Sequence, residues 1–305
     1  MTAQPILLDD ESTWPHAIVE ALAQGFRELE QFEEARAEID ARAERDVLLR
    51  VRRPPNPYSS RRSEVLERIR AVVHGSSFVG YHCTRLHPSE ADDVLKSGLR
   101  PLDPAFTRDR IQRLADSCDL PASIATKLQR HNRSDDAKLA ETRTGMIWFI
   151  LSRSLLQAET GVGRFFAYWG GEAIYADHEE DAEIARYIQG VGEPCIVIAA
   201  LGSTLLHTYI ELSELMMLGY LERRGVAVEH DTRAGRGTRT CDVVGRREGE
   251  ANASGTLFGD HGKLCEYSDA LFRGHRADEL IHNEIALRVN QQVMTQSSGE
   301  SPSPT

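Results

Sequence analysis

The sequence lacks the short motifs that identify several large enzyme classes directly. No G-x-G-x-x-G follows a predicted strand and no G-x-x-x-x-G-K-[ST] is present, so doubly wound dinucleotide binding and P-loop nucleotide hydrolysis are both unsupported. The G-x-S-x-G turn that carries the nucleophile of many serine hydrolases is also missing. These three enzyme classes therefore have no motif to support them in this sequence.

Cysteine is scarce and scattered. The chain has five cysteines, at positions 83, 118, 195, 241 and 265, and no two of them form a C-x-x-C pair. An odd, dispersed set is typical of reduced thiols in a cytoplasm rather than of a disulfide framework. The sequence also lacks a run of about eighteen apolar residues and the basic and apolar start of a signal peptide. We therefore expect a cytoplasmic protein that does not enter a membrane.

The chain has fewer positively charged than negatively charged residues. The chain has 36 Lys and Arg residues against 47 Asp and Glu residues, a formal net charge of −11. Non-specific binding to DNA or RNA depends on neutralising phosphates, so this balance argues against it. One local group of cations lies in a polar segment, and we leave open whether it is an ordinary solvated face or a surface that contacts substrate: Arg108, Arg110, Arg113, Lys127, Arg130 and Arg133.

The 305 residues divide into three predicted regions and an α+β fold class. Residues 1–75 are predicted to be helical, because Trp14, Ile18, Leu22 and Phe26 recur at four-residue spacing. They are interpreted either as helices packed on the outside of the domain or as a lid or surface for a regulatory partner. Residues 76–294 are predicted to form one large domain with a helical insertion, and residues 295–305 a disordered tail.

The most informative stretch is residues 79–99. It begins with a β-rich run that contains His82 and Thr84, turns at Pro88, and continues as an amphipathic helix that stops at Gly98. Adjacent strand residues point to opposite faces, so His82 and Cys83 are not expected to pair as a base and a nucleophile. On spacing alone, a strand histidine is more often a packed residue than a catalyst.

The middle of the chain is rich in aromatic residues. Residues 145–152 read as a buried strand, residues 153–160 as a short helix closed by glycines, and residues 164–169 as a second aromatic run. Seven Phe, Trp and Tyr residues lie between Trp148 and Tyr175, where a flat ligand could be sandwiched between rings, although rings of this kind also form ordinary cores.

The remaining predicted elements are a helix at residues 177–188, a buried strand at 195–201, and a segment at 208–223 that reads either as a helix or as ambiguous between helix and strand. A loop is expected at residues 233–255. A last strand is predicted at residues 280–289, and Glu284 lies within it.

Three short islands, in this order, resemble the His-Tyr-Glu branch of the ADP-ribosyltransferase superfamily, which includes the diphtheria-type toxins and the poly(ADP-ribose) polymerases. The first is Tyr81-His82-Cys83-Thr84-Arg85 followed by a helix that ends in Gly-Leu; the second is the aromatic middle; the third is Asn283-Glu284. The resemblance implies a split mixed β-sheet core with an N-terminal helical segment. Cys83 stands where the family has glycine, a residue whose backbone holds the nicotinamide amide.

The aromatic island can be aligned in two ways. In the first, Met146-Ile147-Trp148-Phe149 is the family's strand and Tyr168 is the stacking tyrosine. In the second, residues 173–177 form that strand, Tyr175 lies within it, and Tyr187 supplies the later ring. We prefer the first alignment because it keeps the aromatic strand near His82.

The resemblance implies a role for each candidate residue. His82, Tyr168 and Glu284 would be catalytic: His82 would hold a ribose hydroxyl, Tyr168 would stack on nicotinamide, and Glu284 would bind the 2′-hydroxyl and stabilise the oxocarbenium-like transition state. Glu211 and Glu214 are weaker candidates for the carboxylate. The remaining residues of the implied NAD site are Cys83, Thr84, Arg85, Trp148, Ser152 and Tyr175.

The implied activity is transfer of ADP-ribose from NAD to a protein or nucleic acid, with NAD as substrate and no metal required. A chain of this kind would suit a bacterial toxin or a phage-defence effector, with an antitoxin or regulator contacting the N-terminal helices. Two alternatives stay open: an NAD glycohydrolase or RNA 2′-phosphotransferase-like enzyme, and a catalytically inactive scaffold of the same fold.

Overall fold

A computed structural model describes residues 4–101, 103–136, 147–156, 159–208, 211–228, 243–245 and 263–266. The first helices in the chain are α1 (His16–Gln24), α2 (Phe26–Arg45), α3 (Val47–Val51), α4 (Ser59–Val73), α5 (Pro88–Ser97), α6 (Pro104–Asp116) and α7 (Ala122–Arg130). They are followed by α8 (Arg153–Leu156), α9 (Glu159–Ala167), α10 (Glu172–Tyr175), α11 (Ala182–Gly190) and α12 (Leu212–Arg223). The strands are β1 (Ser77–Leu86), β2 (Trp148–Phe149), β3 (Glu193–Gly202), β4 (Leu206–His207), β5 (Val243–Gly245) and β6 (Lys263–Glu266). The protein is therefore of the α+β class.

The N-terminal region is helical, as predicted. Trp14, Ile18 and Leu22 are all buried, so the apolar residues at four-residue spacing do face a core. No helix forms between Val51 and Ser59, because the prolines of this segment lack an amide proton and their rings clash with a preceding helical turn.

The longest strands, β1 and β3, form an antiparallel pair. Ser77 lies opposite Gly202, and Leu86 lies opposite Glu193. Strand β6 pairs with the other edge of β3, which gives the order β1-β3-β6. The predicted strands at residues 79–86 and 195–201 are confirmed.

A glycine fixes the turn that enters β3. Gly192 has φ +66°, and a Cβ at this position would lie 2.2 Å from the carbonyl oxygen of Leu86. Only glycine combines this positive φ with such a close approach of two backbone segments. The backbones at the end of β1 and the start of β3 can therefore approach closely because residue 192 has no side chain.

A second antiparallel sheet has the order β2-β5-β4. Trp148 lies opposite Val244, and Leu206 lies opposite Gly245. An isolated antiparallel bridge between Tyr81 and Ile150 connects the segment after β2 to β1. The aromatic strand predicted at residues 145–152 is thus present as β2 and this bridge, beside the strand that carries His82.

One apolar core lies between the N-terminal helices and one face of the β1-β3 sheet. Residues on both sides of the boundary predicted at 75/76 contribute to it, since α1, α4 and α12 pack with the strands. Its most deeply buried members include Ile18, Leu22, Ile69, Phe78, Phe149, Met216 and Leu221. This favours the interpretation of the N-terminal region as helices packed on the domain.

A second core is built mainly from helices. The insertion predicted between residues 107 and 133 forms α6 and α7, which confirms the two helices predicted there. They pack against the segment that contains α10 and α11. The buried side chains at the centre of this core are Ile111, Ile124, Leu128, Trp169, Ile174 and Ile188.

Three details of the helices differ from the sequence-based expectation. Helix α9 runs from Glu159 to Ala167 through the glycines that were expected to end it, because its tertiary contacts, including the buried Phe166, outweigh their low helix propensity. Helix α11 begins at Ala182 rather than near residue 177, because Asp181 caps its first amides. In α5, Leu95 is 57% exposed, whereas Ala91 and Val94 pack on the core.

Some predictions lie outside the described residues. These are the last strand at residues 280–289, the tail at 295–305, and the loop at 233–255 apart from β5. Among the helices that the structure describes, none combines the length and the apolar character needed to cross a membrane.

Gly80 gives a test of the packing beneath the site. A Cβ at Gly80 would lie 2.4 Å from Leu201 Cδ1 and 3.1 Å from Phe149 Cδ1. We expect Gly80→Val to lower the free energy of unfolding by about 1–3 kcal/mol through overpacking, measured by urea denaturation. In Gly163→Ala, the matched control in α9, a new Cβ would meet no atom of the described residues within 4 Å. That variant should be unchanged or more stable by up to about 1 kcal/mol. Equal changes in the free energy of unfolding for the two variants would contradict the packing described for β1.

Candidate functional site

His82 is held against the aromatic strand. Its Nδ1 lies 2.8 Å from the carbonyl oxygen of Trp148, and its ring centroid lies 5.8 Å from that of Phe149. Because a carbonyl oxygen only accepts hydrogen bonds, Nδ1 carries the proton and donates it. A neutral ring then leaves Nε2 as an acceptor, for which the described residues provide no donor.

The surroundings of His82 keep it neutral. Burial lowers the pKa of His82 below the usual histidine range, the hydrogen bond to the Trp148 carbonyl opposes this shift, and the positive charge of Arg110 lowers the pKa further. At neutral pH the side chain therefore presents a lone pair on Nε2. This atom is suited to accept a hydrogen bond from a hydroxyl group.

One edge of β1 is only partly covered by the residues that the structure describes. The Val79 amide donates to the Ile6 carbonyl at 2.9 Å, and the Tyr81 amide donates to the Ile150 carbonyl at 2.8 Å, both on the edge opposite β3. In an antiparallel strand the backbone groups of alternate residues point to the same edge, so those of Cys83 point there as well. Within the described residues, neither the amide nor the carbonyl of Cys83 has a partner on that edge.

The Cys83 side chain does not supply a nucleophile. It is buried, and burial raises the pKa of its thiol to about 12. Thr84 is also buried and lies opposite Cys195. Alternation along β1 places the Thr84 side chain on the same sheet face as His82 and the Cys83 side chain on the other.

Arg85 ties β1 to the helical part of the protein. Its Nε donates to the Val191 carbonyl at 2.7 Å, and its Nη1 donates to the Phe166 carbonyl at 3.1 Å. These contacts engage both sides of the guanidinium group in bonds to backbone. The structure thus gives Arg85 a positioning role in addition to any contact with a ligand.

Ser152 contacts the N-terminal segment. Its hydroxyl donates to Asp9 Oδ1 at 2.7 Å, and the Asp9 carboxylate also accepts from the Arg153 amide. Arg153 Nε in turn donates to the Tyr81 hydroxyl at 2.8 Å. The segment before α1 is therefore bonded to the residues that follow β2.

Tyr168 and Tyr175 pack on each other in the helical core. Their ring centroids are 5.5 Å apart, and Phe165 lies 6.0 Å from Tyr175. Tyr175 lies in α10, so the alignment that treated residues 173–177 as a strand is wrong; the local chain is helical because Ala173 and Ile174 pack into this core as one turn. Among the described contacts, Trp148 is the aromatic candidate whose residue touches His82.

A buried ion pair was missed by the sequence analysis. Glu90 Oε1 accepts from Arg110 Nε at 2.6 Å, and Glu90 Oε2 accepts from Trp169 Nε1 at 2.8 Å and from the His87 amide at 3.0 Å. Burial alone would raise the pKa of Glu90, but Arg110 and these hydrogen bonds lower it, so the carboxylate is charged. The only sequence signal was the capping pattern His87-Pro-Ser-Glu90 at the start of α5.

Most cations of the helical insertion are used in ion pairs. This supports the solvated-face interpretation for four of them, because each lies within 3 Å of a carboxylate: Arg108 with Asp135, Arg113 with Asp93, Lys127 with Glu183 and Arg133 with Asp177. They do not form a continuous free basic surface.

The three candidates for the catalytic carboxylate are Glu211, Glu214 and Glu284. Glu211 pairs with Arg70 on α4, and Arg70 lowers the pKa of this carboxyl through a hydrogen bond. Glu214 pairs with Arg62, also on α4. Both act as links between α4 and α12, and no described contact brings either to His82. Glu284 lies outside the described residues.

The described residues thus bring together His82, Trp148 and the open backbone of Cys83, with Arg110 close enough to act on the histidine. In the same part of the chain, no three His, Cys, Asp or Glu side chains are grouped as metal ligands. Known protein families, curated proteins and solved structures offer no match to this chain. No residue of the site therefore has a role assigned through a matched protein.

The tautomer of His82 can be measured by NMR, with the signal assigned through its loss in His82→Gln. We expect proton attachment at Nδ1 at pH 7 and a pKa below the unfolded value of about 6.5. Because the folded-state pKa is the lower one, the neutral ring contributes stability above pH 6.5, and this contribution is lost as the pH falls through the lowered value. An Nε2-protonated ring at pH 7, or a pKa at or above 6.5, would contradict the contact with Trp148.

Proposed function

We propose that this protein is a mono-ADP-ribosyltransferase that transfers ADP-ribose from NAD to a macromolecule, on a fold of the ADP-ribosyltransferase type. The observation that carries the proposal is the 2.8 Å contact between His82 and Trp148. It joins two islands that are 66 residues apart in the sequence and that the family resemblance requires to be neighbours.

The backbone at Cys83 supports a nicotinamide site despite the missing glycine. A carboxamide has one acceptor and two donor hydrogens, which match one amide and one carbonyl on a strand edge. The amide and carbonyl of Cys83 both face the edge of β1 opposite β3, where no described residue bonds to them, whereas its thiol lies on a face of the sheet. A side chain at this position therefore does not obstruct the edge along which the carboxamide would bind.

The reaction breaks the bond between the nicotinamide nitrogen and ribose C1′. The electron pair leaves with the ring, an acceptor atom forms the new bond to C1′, and that acceptor loses its proton. His82 Nε2 would hold a ribose hydroxyl, the Trp148 ring would face the nicotinamide through cation–π attraction, and Glu284 would stabilise positive charge on the ribose. Tyr168 would be the second ring if its pairing with Tyr175 opens on the substrate side.

The free thiols and the net charge of the chain bear on where the protein would act and on which acceptor it would modify. Cys83, Cys118 and Cys195 are free thiols, which supports a reducing cytoplasm as the place of action. The acceptor would be a protein or a nucleic acid, and the net acidity of the chain mildly favours a protein. A role as a toxin or phage-defence effector, controlled by a partner at the N-terminal helices, is part of the proposal.

The direct test uses labelled NAD and cell lysate with wild type, Cys83→Ala and Cys83→Pro. Wild type and Cys83→Ala should release nicotinamide and label a macromolecule, because the contact uses backbone. Cys83→Pro keeps the pairing with β3, since the lost amide faces the other edge, but it removes the donor to the carboxamide. We expect its kcat/KM to fall about tenfold or more, the value of one lost hydrogen bond to substrate.

The outcomes separate the alternatives. Release of free ADP-ribose without labelling indicates a glycohydrolase, and removal of a 2′-phosphate from RNA indicates the phosphotransferase-like activity. No nicotinamide release by folded wild type would contradict all NAD chemistry and favour an inactive scaffold. Glu284→Gln should abolish cleavage while leaving partner binding intact if Glu284 is the catalytic carboxylate.

A further inference from the structure

Two arginines, Arg100 and Arg110, share one aromatic ring. The guanidinium carbon of Arg100 lies 4.2 Å from the Phe106 ring centroid, and that of Arg110 lies 5.6 Å from the same centroid. Phe106 and Arg110 are four residues apart on α6, so they lie on one helix face. Arg110 is also close enough to His82 for its charge to lower the pKa of that histidine.

Arg100 differs from the neighbouring arginines in having no paired carboxylate among the described residues, and Arg110 pairs with its carboxylate through one nitrogen only. Arg108, Arg113 and Arg133, all in the same helical insertion, each pair with a carboxylate. Arg100, in contrast, has no carboxylate within 4 Å among the residues that the structure describes. Arg110 bonds to Glu90 through Nε alone, so its two terminal amino groups have no hydrogen-bond acceptor in the described part of the chain.

Aromatic rings hold both arginines in position, and Arg110 is held by the Glu90 carboxylate as well. Arg110 lies over Trp169 at 4.8 Å as well as over Phe106, and its side chain is only 15% exposed. Arg100 directly follows Leu99, which is buried in the same core as Phe149. Two cations on one ring repel each other, and a single carboxylate, Glu90, offsets one of them. The remaining positive charge favours binding of an anion between the two guanidinium groups.

We propose that Arg100 and Arg110 bind the pyrophosphate of the dinucleotide whose ribose contacts His82. The inference rests on the proposed function and names the residues that hold the phosphates. The planar guanidinium fork matches phosphate oxygens, and two forks suit the two charged phosphates of a pyrophosphate. Arg110, locked by Glu90 and Trp169, is the fixed half of the site, and the exposed Arg100 closes over the bound anion.

The test is calorimetric binding of ADP-ribose and of nicotinamide to the full chain. Arg100→Gln should weaken ADP-ribose binding about tenfold or more, because a charged hydrogen bond is lost, and should leave nicotinamide binding unchanged since nicotinamide has no phosphate. The matched control is Arg130→Gln, an exposed arginine of α7 with no ion pair in the described residues. It should change neither affinity.

A second variant tests Arg110, the fixed half of the proposed phosphate site. Removing Arg110 would leave Glu90 charged and buried, so Arg110→Lys is used, which keeps the charge but lacks the fork. It should weaken ADP-ribose binding while the thermal midpoint stays near that of wild type. Loss of both ligands together in Arg100→Gln would indicate general damage and would overturn the assignment.

The remaining outcomes separate this inference from the proposed function. If wild type binds ADP-ribose and Arg100→Gln binds it equally well, the phosphate site is wrong while the NAD reaction stands. If Arg100→Gln loses only binding of a single-stranded RNA oligonucleotide, the arginines serve a nucleic-acid acceptor and the pyrophosphate assignment is overturned. If wild type binds neither ADP-ribose nor nicotinamide, both proposals fail.

Discussion

The hydrogen bond from His82 Nδ1 to the Trp148 carbonyl is the constraint on which the site depends. It fixes the tautomer of His82, directs Nε2 away from the aromatic strand, and holds β2 beside β1. The contact is possible because Gly80 has no side chain, which lets Phe149 approach the strand. The neutral histidine, the aromatic strand beside it and the strand edge that no described residue covers at Cys83 thus follow from the same local packing.

The helical core acts on this site through charge and through bonds to backbone. Arg85 reaches from β1 to carbonyls of Phe166 and Val191, and the ion pair of Glu90 with Arg110 is sealed by Trp169. A buried pair of this kind gains little net stability, because desolvation offsets most of the attraction. Its consequence here is orientation: it places one positive charge close to His82, where that charge adds to the effect of burial in lowering the pKa of the imidazole.

The sequence was sufficient for most of the local elements and insufficient for the contacts between them. The strand containing His82 and the helices α6 and α7 follow from periodicity, because each buries one apolar face. The Glu90–Arg110 pair does not, since it joins residues 20 positions apart whose facing depends on how two helices pack. Tyr175 shows the same limit: its neighbours have strand-like composition, yet tertiary packing makes them helical. The outward direction of the Cys83 backbone required the register of β1 against β3.

The most direct measurement of the central claim is a crystal structure of the protein with nicotinamide and ADP-ribose. The account predicts that the carboxamide bonds to the amide and carbonyl of Cys83 and that a ribose hydroxyl donates to His82 Nε2. The nicotinamide ring should lie against Trp148 or Tyr168, and the pyrophosphate between Arg100 and Arg110. Another chain segment bonded along the β1 edge at Cys83, or ligand bound away from His82, would contradict the account.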